Sequence, residues 1–319
     1  MVSYMALRRC APVLRACIQQ TKATNGSLLG VARAPSLHYL GVSSRHFGSW
    51  TIRRNREALG LQAKPAHDRK ALDAVSINPG NAFYTEQIMD SVKRRDWHAA
   101  KEIFDAIENK NTIVYSAIIF AADKLGHYEE GIKLFKYMEA HGIECNAVTY
   151  CSVFSVLAMS RGSLEVERLM SEAVGKGLVL NQAHFGPLLK AYREEGRPDK
   201  ALHAIQNMRA HDKPNAVHYT LVLAACSRAA SLGTLSQESV EIYIAHITAG
   251  MLQDGVSSDR FFVEEHVRAI LGGQRLQDVF NVSAKQAAAA ISCLDEARIE
   301  GIAITKLLMS VYGRLQKLA

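Results

Sequence analysis

A repeat of about 35 residues constrains this chain more than any other feature. Aromatic residues recur at Tyr84, Tyr115, Tyr150, Phe185 and Tyr219, at intervals of 31, 35, 35 and 34. A second track runs in step at Ile103-Phe104, Leu134-Phe135, Leu169-Met170, Ala204-Ile205 and Ile242-Tyr243. The first aromatic precedes the end of that pair by 20 residues in four units and by 24 in the fifth, which places four extra residues near Ser231–Leu235. Small or compact residues at Ala100, Gly131, Val166, Ala201 and Ser239 keep the same phase. Three tracks in register over five units mark a stacked-repeat architecture.

Each unit reads as two helices. In the second, Tyr115, Ile118, Ile119 and Ala122 form an apolar stripe at helical spacing, Gly126 breaks the chain, and Ile132, Leu134, Phe135 and Met138 form another before Gly142. The fourth repeats this with Phe185, Leu188, Leu189 and Tyr192, a break at Glu195–Pro198, then Leu202, Ile205 and Met208. Neither helix can bury its stripe alone, so neighbouring pairs must stack.

Certain segments carry a resemblance. Ile113-Val114-Tyr115-Ser116, Ala147-Val148-Thr149-Tyr150 and Gly131–Met138 resemble pentatricopeptide repeats (PPR), as do the unit ends His141–Asn146 and Lys213-Pro214-Asn215. The resemblance covers roughly residues 81–254, about half the chain. Tetratricopeptide repeats fit less well, because Trp50 and Trp97 do not fall where that family places its tryptophan. The expected fold is all-α: a right-handed superhelical α-solenoid of about five helix-turn-helix repeats with a helical C-terminal cap. Its units are expected at 81–111, 112–146, 147–181, 182–215 and 216–254, with a degenerate repeat and capping helices over 255–319.

The resemblance implies binding of single-stranded RNA in an organelle, about one base per repeat. A polar side chain near each first-helix start would pair with the last residue of its unit. The candidate pairs are Thr85 with Asn111, Ser116 with Asn146, Cys151 with Asn181, Gly186 with Asn215, and Thr220 with Asp254. The family's pairing rules associate Thr or Ser with Asn to adenine and Thr with Asp to guanine. Asn both donates and accepts, whereas Asp only accepts, so the chemistry agrees in kind. Cys151 and Gly186 depart from the usual polar choice, leaving a 5′-A-A-N-N-G-3′ expectation. Asn and Asp are also what helix starts favour, so each position has a capping explanation beside the recognition one.

Charge is unevenly spread. Residues 1–56 hold nine basic groups and no acid, while the rest holds 29 basic and 31 acidic groups. The surplus therefore describes the N-terminus and not a basic body. An acid-free, Arg- and Ser-bearing opening is expected to be an organellar presequence, taken as disordered over 1–47, with Arg45-His46-Phe47 resembling a mitochondrial processing site. Mitochondrion is the expected address and plastid the alternative. Residues 48–80 read as a linker with one weak helix near Asp68–Val75.

Other chemistry is not signalled. The twelve histidines build no HExxH and no closed zinc spacing, and the nearest cluster, His141, Cys145 and Cys151, spans a unit junction. Glu129-Glu130 and Glu194-Glu195 read as solvated turn ends, and Lys93-Arg94-Arg95 as a turn able to meet phosphate. No enzyme, cofactor, metal or membrane insertion is expected. The C-terminal helices, one capped by Ser283 and one over about Ile302–Leu318, would close the stack or dock a partner protein or ribonucleoprotein. A helical-repeat scaffold, or a ribosome-associated subunit, is the competing function.

Overall fold

The computed structural model describes residues 79–277 and 282–318. The chain divides into two units, Met1–Asp73 and Ala74–Ala319. The first unit, with the expected presequence (1–47) and most of the linker, lies outside the described residues, as do Val279 and Phe280. Within the second unit the described residues form thirteen helices. They are α1 (Pro79–Arg94), α2 (Trp97–Ala106), α3 (Thr112–Leu125), α4 (Tyr128–Ala140), α5 (Ala147–Ser160), α6 (Ser163–Gly175) and α7 (Gln182–Glu195). Then follow α8 (Pro198–Met208), α9 (Ala216–Ser231), α10 (Gln237–Gln253), α11 (Arg260–Ile270), α12 (Ala284–Ile299) and α13 (Lys306–Leu315).

Local chemistry sets these limits. Asn111, Asn146, Asn181 and Asn215 stand in extended backbone before α3, α5, α7 and α9, and each side chain accepts an N–H from the helix's first turn. At the far end of α7, Gly196 adopts φ +63°, and a Cβ there would lie 3.2 Å from the Ala229 backbone, so both conformation and space require glycine. The expected stripes are buried: Tyr115, Ile118, Ile119 and Ala122 in α3, and Phe185, Leu188, Leu189 and Tyr192 in α7.

Helices stack as hairpins. The first helices α1, α3, α5, α7, α9 and α11 form one row in which each touches the next. Every second helix packs on the first helix of its own hairpin and on that of the following one, with no comparable contact to another second helix. The first helices therefore make the inner layer and the second helices the splayed outer layer. One continuous core runs from Ile88 in α1 to Phe262 and Ala269 in α11. A second core joins Val263, Val267 and Ile270 of α11 to Leu294 of α12 and Val311 of α13. Burying each such side chain contributes about 1.5–3 kcal/mol, so stacking, and not helix propensity, holds the array. Among the described residues no helix is long and apolar enough to cross a membrane.

Polar stitches tie neighbouring hairpins. Glu195 is an exposed turn end, as expected, with a structural task besides. Its carboxylate accepts from the Ser163 amide at 2.6 Å and the Ser163 hydroxyl at 2.7 Å, capping α6, whose own cap residue Gly162 has no side chain. Glu129 accepts from Arg161 of the next hairpin at 2.7 Å.

The fifth hairpin departs from the sequence tracks. Second helices bury a compact residue four positions after their cap, as with Ala100 after Asp96 or Val166 after Gly162. In α10, capped by Ser236, that residue is Val240, not Ser239, and the apolar pair is Tyr243-Ile244, with Ile242 half exposed. The fifth hairpin thus holds five extra residues before α10, two in a longer α9 and three in the turn, because the caps Asn215 and Ser236 are 21 apart where Asn181 and Arg197 are 16 apart.

Candidate nucleic-acid interface

The candidate residues sit where adjacent first helices begin. Thr85, Ser116 and Thr220 each donate their hydroxyl at 2.8 Å to the carbonyl four residues back: Asn81, Thr112 and Ala216. That spends the hydroxyl hydrogen and leaves oxygen lone pairs to accept. Thr85 and Thr220 are half-buried and accessible, whereas Ser116 is only 4% exposed, with its oxygen 2.6 Å from Thr149 Oγ1. Ser116 is therefore turned into the junction between α3 and α5. The Cys151 thiol donates to the Ala183 carbonyl of α7 at 3.3 Å, and Gly186 offers backbone alone.

The terminal asparagines do the capping that helix starts demand. Asn111 Oδ1 accepts from Val114 N at 3.1 Å, Asn146 Oδ1 from Thr149 N at 2.9 Å, and Asn181 Oδ1 from Ala183 N at 3.0 Å. Asn215 Oδ1 takes two amides, and its Nδ2 donates to Gln182 Oε1 of the preceding first helix at 2.8 Å. Capping and recognition are compatible here. With Oδ1 engaged, the amide nitrogen of Asn111, Asn146 or Asn181 remains as a donor beside its neighbour's acceptor oxygen. Thr85 with Asn111 thus presents an acceptor and a donor.

Asp254 is placed differently. It follows the last turn of α10, and its carboxylate accepts from Tyr219 OH at 2.5 Å and from Arg209 Nε at 3.1 Å. Burial and this bond push the Tyr219 phenol up to about 12. The residue that caps α11, as the four asparagines cap their helices, is Asp259, whose Oδ1 accepts from Phe261 N and Phe262 N at 3.0 and 2.8 Å. The residue in register with Thr220 is therefore Asp259, five positions beyond the one expected. The signal for it was present in the sequence, since an aspartate three residues before a buried phenylalanine is a helix start.

Two residues after the caps, apolar side chains stand in solvent. Val217 is 59% and Ile113 36% exposed, and Val148 and Ala183 are half-buried. Lys93, Arg94 and Arg95 close the first hairpin turn, where Lys93 pairs with Asp90 at 2.7 Å and Arg94 reaches Ser91. Cys145 and Cys151 donate to separate carbonyls, and among the described residues no group of three or more His, Cys, Asp or Glu could hold a metal.

With helices, caps and inner layer in view, comparison with known proteins gives the family. The sequence model of the PPR repeat family matches residues 110–159, from the start of α3 through α5. The chain is a PPR repeat protein. A mitochondrial pentatricopeptide repeat-containing protein of Arabidopsis thaliana is 31% identical over 130 residues, covering 40% of this chain and 19% of the relative. A chloroplastic one from the same plant is 24% identical over 177 residues, covering 55% and 27%. This PPR protein thus spans about a fifth to a quarter of the length of these curated relatives. The crystal structure of the pentatricopeptide repeat protein PPR10 from maize aligns with a TM-score of 0.51 at 14% identity, covering 85% of this chain and 37% of that one. PPR10 in complex with an 18-nt psaJ RNA element gives 0.54 at 15% identity, covering 85% and 38%. At such identities the likeness establishes the fold of this PPR array.

Proposed function

We propose that this PPR protein binds single-stranded RNA in an organelle, supporting RNA processing, stability or translation without chemistry of its own. The observation that carries the reading is the unbroken row of first helices, in which α3, α5, α7, α9 and α11 each open on an Asn or Asp cap. Base-edge chemistry follows from the atoms left free. Thr85 with Asn111 pairs an acceptor with a donor, complementary to adenine N6–H and N1. Thr220 with Asp259 offers two acceptors, complementary to the N–H groups of guanine. Ser116 with Asn146 is a weaker adenine site because Ser116 is buried. Cys151 with Asn181 and Gly186 with Asn215 select little. Exposed Val217 and Ile113 supply apolar walls against which a splayed base can lie.

The organellar address is supported by the acid-free, basic residues 1–56 and by relatives that are mitochondrial or chloroplastic. N-terminal sequencing of protein from cells tests it, and a retained Met1 counts against a presequence. Titrating the full chain with short RNAs that vary at the first and fifth sites tests recognition. Preference for adenine at the first and guanine at the fifth is expected. Equal affinity for every sequence would remove the base-reading assignment, and absence of RNA binding would leave the array a protein scaffold.

A further inference from the structure

Asn215 differs from the other cap asparagines in having its amide nitrogen engaged by a side chain of the preceding first helix. The acceptor is Oε1 of Gln182, the first residue of α7, at 2.8 Å. The other first helices that follow a cap open on residues that make no such bond. Thr112 donates its hydroxyl to the Glu144 carbonyl at 2.8 Å, Ala147 and Ala216 carry only a methyl, and the Arg260 guanidinium lies over the Phe261 ring at 4.4 Å. Gln182 is also pinned through its backbone: its N–H donates to Asp212 Oδ2 at 3.2 Å, and its carbonyl accepts from His218 Nε2 at 3.1 Å. Backbone donors fix which way both amides turn. Asn215 Oδ1 accepts from the amides of Val217 and His218, so Nδ2 must face Gln182, and Gln182 must answer with Oε1. Gln182 Nε2 is left with two hydrogens and no acceptor among the described residues.

Gly186 uncovers that amide. A helical side chain leans back over the turn before it, and Thr85, Ser116 and Thr220 do so, reaching the carbonyls of Asn81, Thr112 and Ala216 at 2.8 Å. Gly186 stands four residues after Gln182 on the same helix face and has nothing to lay over it. A Cβ built at Gly186 would meet no atom within 4 Å, so the space that a hydroxyl-bearing side chain takes in other hairpins is open. A base edge entering beside Asn215 therefore meets two donors, one N–H of Gln182 Nε2 and the remaining N–H of Asn215 Nδ2. Two neighbouring acceptors on a Watson–Crick edge, N3 and O2, belong to cytosine. Adenine has one acceptor there, and guanine and uracil set an N–H beside their carbonyl oxygens.

We propose that Gln182 takes the place of the missing side chain at Gly186 and, with Asn215, makes the fourth site selective for cytosine. The assignment rests on the RNA-binding reading above, and its failure is distinguishable from failure of that reading. The full chain is titrated with four short single-stranded RNAs, adenine at the first site and guanine at the fifth, that differ only in the fourth base. Cytosine should bind about fivefold more tightly than the other three, the worth of one added amide hydrogen bond. Gln182→Met keeps the side-chain length and loses the amide, so the fourth-base preference should vanish while those at the first and fifth sites stay. Gly186→Thr should turn the fourth site from cytosine to adenine, because the new hydroxyl would lie over Gln182 as that of Thr220 lies over Ala216. A wild type that discriminates at the first and fifth sites but not at the fourth overturns the proposal and leaves the function standing. A cytosine preference that survives in Gln182→Met overturns it too, returning the site to Asn215 alone. A wild type that binds no RNA overturns the function and this assignment with it.

Discussion

Pro187 sits in the second turn of α7 without an amide hydrogen, so the Ala183 carbonyl four residues earlier lacks its helical donor. The Cys151 thiol of α5 supplies one from 3.3 Å. Cys151→Ser should therefore be nearly neutral, whereas Cys151→Val should cost about 1 kcal/mol, read from urea unfolding midpoints. Sequence offered both residues and not their meeting, because 32 positions separate the thiol from the carbonyl it serves. Two histidines, His218 buried and His266 half-buried, carry a pH dependence of definite sign. His218 accepts the Asn215 amide on Nδ1 at 3.2 Å and donates from Nε2 to the Gln182 carbonyl at 3.1 Å, so the ring is neutral, and burial lowers its pKa against the pull of Asp212. His266, whose Nδ1 is 3.4 Å from Cys293 Sγ, is pushed down by burial to about 4. Below about pH 6.5 the unfolded chain takes up protons that these folded rings refuse, so stability is full above that pH and falls as it drops toward 4. The loss from His266 is on the order of 3 kcal/mol by pH 4. Urea unfolding followed from pH 7.5 to 4.5 should show this decline, and His266→Gln should flatten it even if the variant starts from lower stability.

At the scale of the helix, the array was legible wherever hairpins share one spacing. The caps before first and second helices are 16 apart at Asn111–His127, Asn146–Gly162 and Asn181–Arg197, so aromatic and small residues repeat in phase and reveal both helices. The fifth hairpin breaks that rule twice, with five extra residues between the caps and an α10 of 17 residues against 13 in α4 and α6. The longer helix carries Asp254 to the end of its last turn and moves the helix-opening aspartate to Asp259. Composition cannot separate two aspartates five residues apart. Their hydrogen bonds can. Asp254→Asn should weaken the contacts to Arg209 and Tyr219 and cost about 1.5–3 kcal/mol, leaving the base preferred at the fifth site unchanged. Asp259→Asn keeps a competent cap, so stability should move by less than about 0.5 kcal/mol while the preference shifts from guanine toward adenine. Binding selectivity and denaturation measured on both variants decide which aspartate reads the base, and a selectivity change in Asp254→Asn would return the role to it.

Across the whole array each hairpin touches only its neighbours, so stability is a chain of local interfaces. The two cores meet at one element. Helix α11 sends Phe262 and Ala269 into the long core and Val263, Val267 and Ile270 into the second, where α12 and α13 pack. Capping is thereby accomplished chiefly through α11, with α10 adding Ile244 against the second core and Glu241 to Lys285 of α12 at 2.8 Å. The sequence indicated an amphipathic end but not the sharing of α11 between two cores, because periodicity tells that a face is apolar and not which neighbour covers it. A lesion should then spread according to which core it enters. Phe154, fully buried in α5, lies mid-array, and Phe154→Ala should cost about 3–5 kcal/mol and loosen hairpins on both sides. Leu294→Ala in α12 removes a comparably buried side chain and should cost about 2–5 kcal/mol, yet its effect should stop at α11. Hydrogen exchange separates these outcomes. Amides of α12 and α13 should lose protection in Leu294→Ala while those of α3, α5 and α7 keep theirs, and RNA affinity should hold. Uniform loss of protection along the stack would show instead that the C-terminal helices support the trough as a whole, and that the array cannot present its inner face without them.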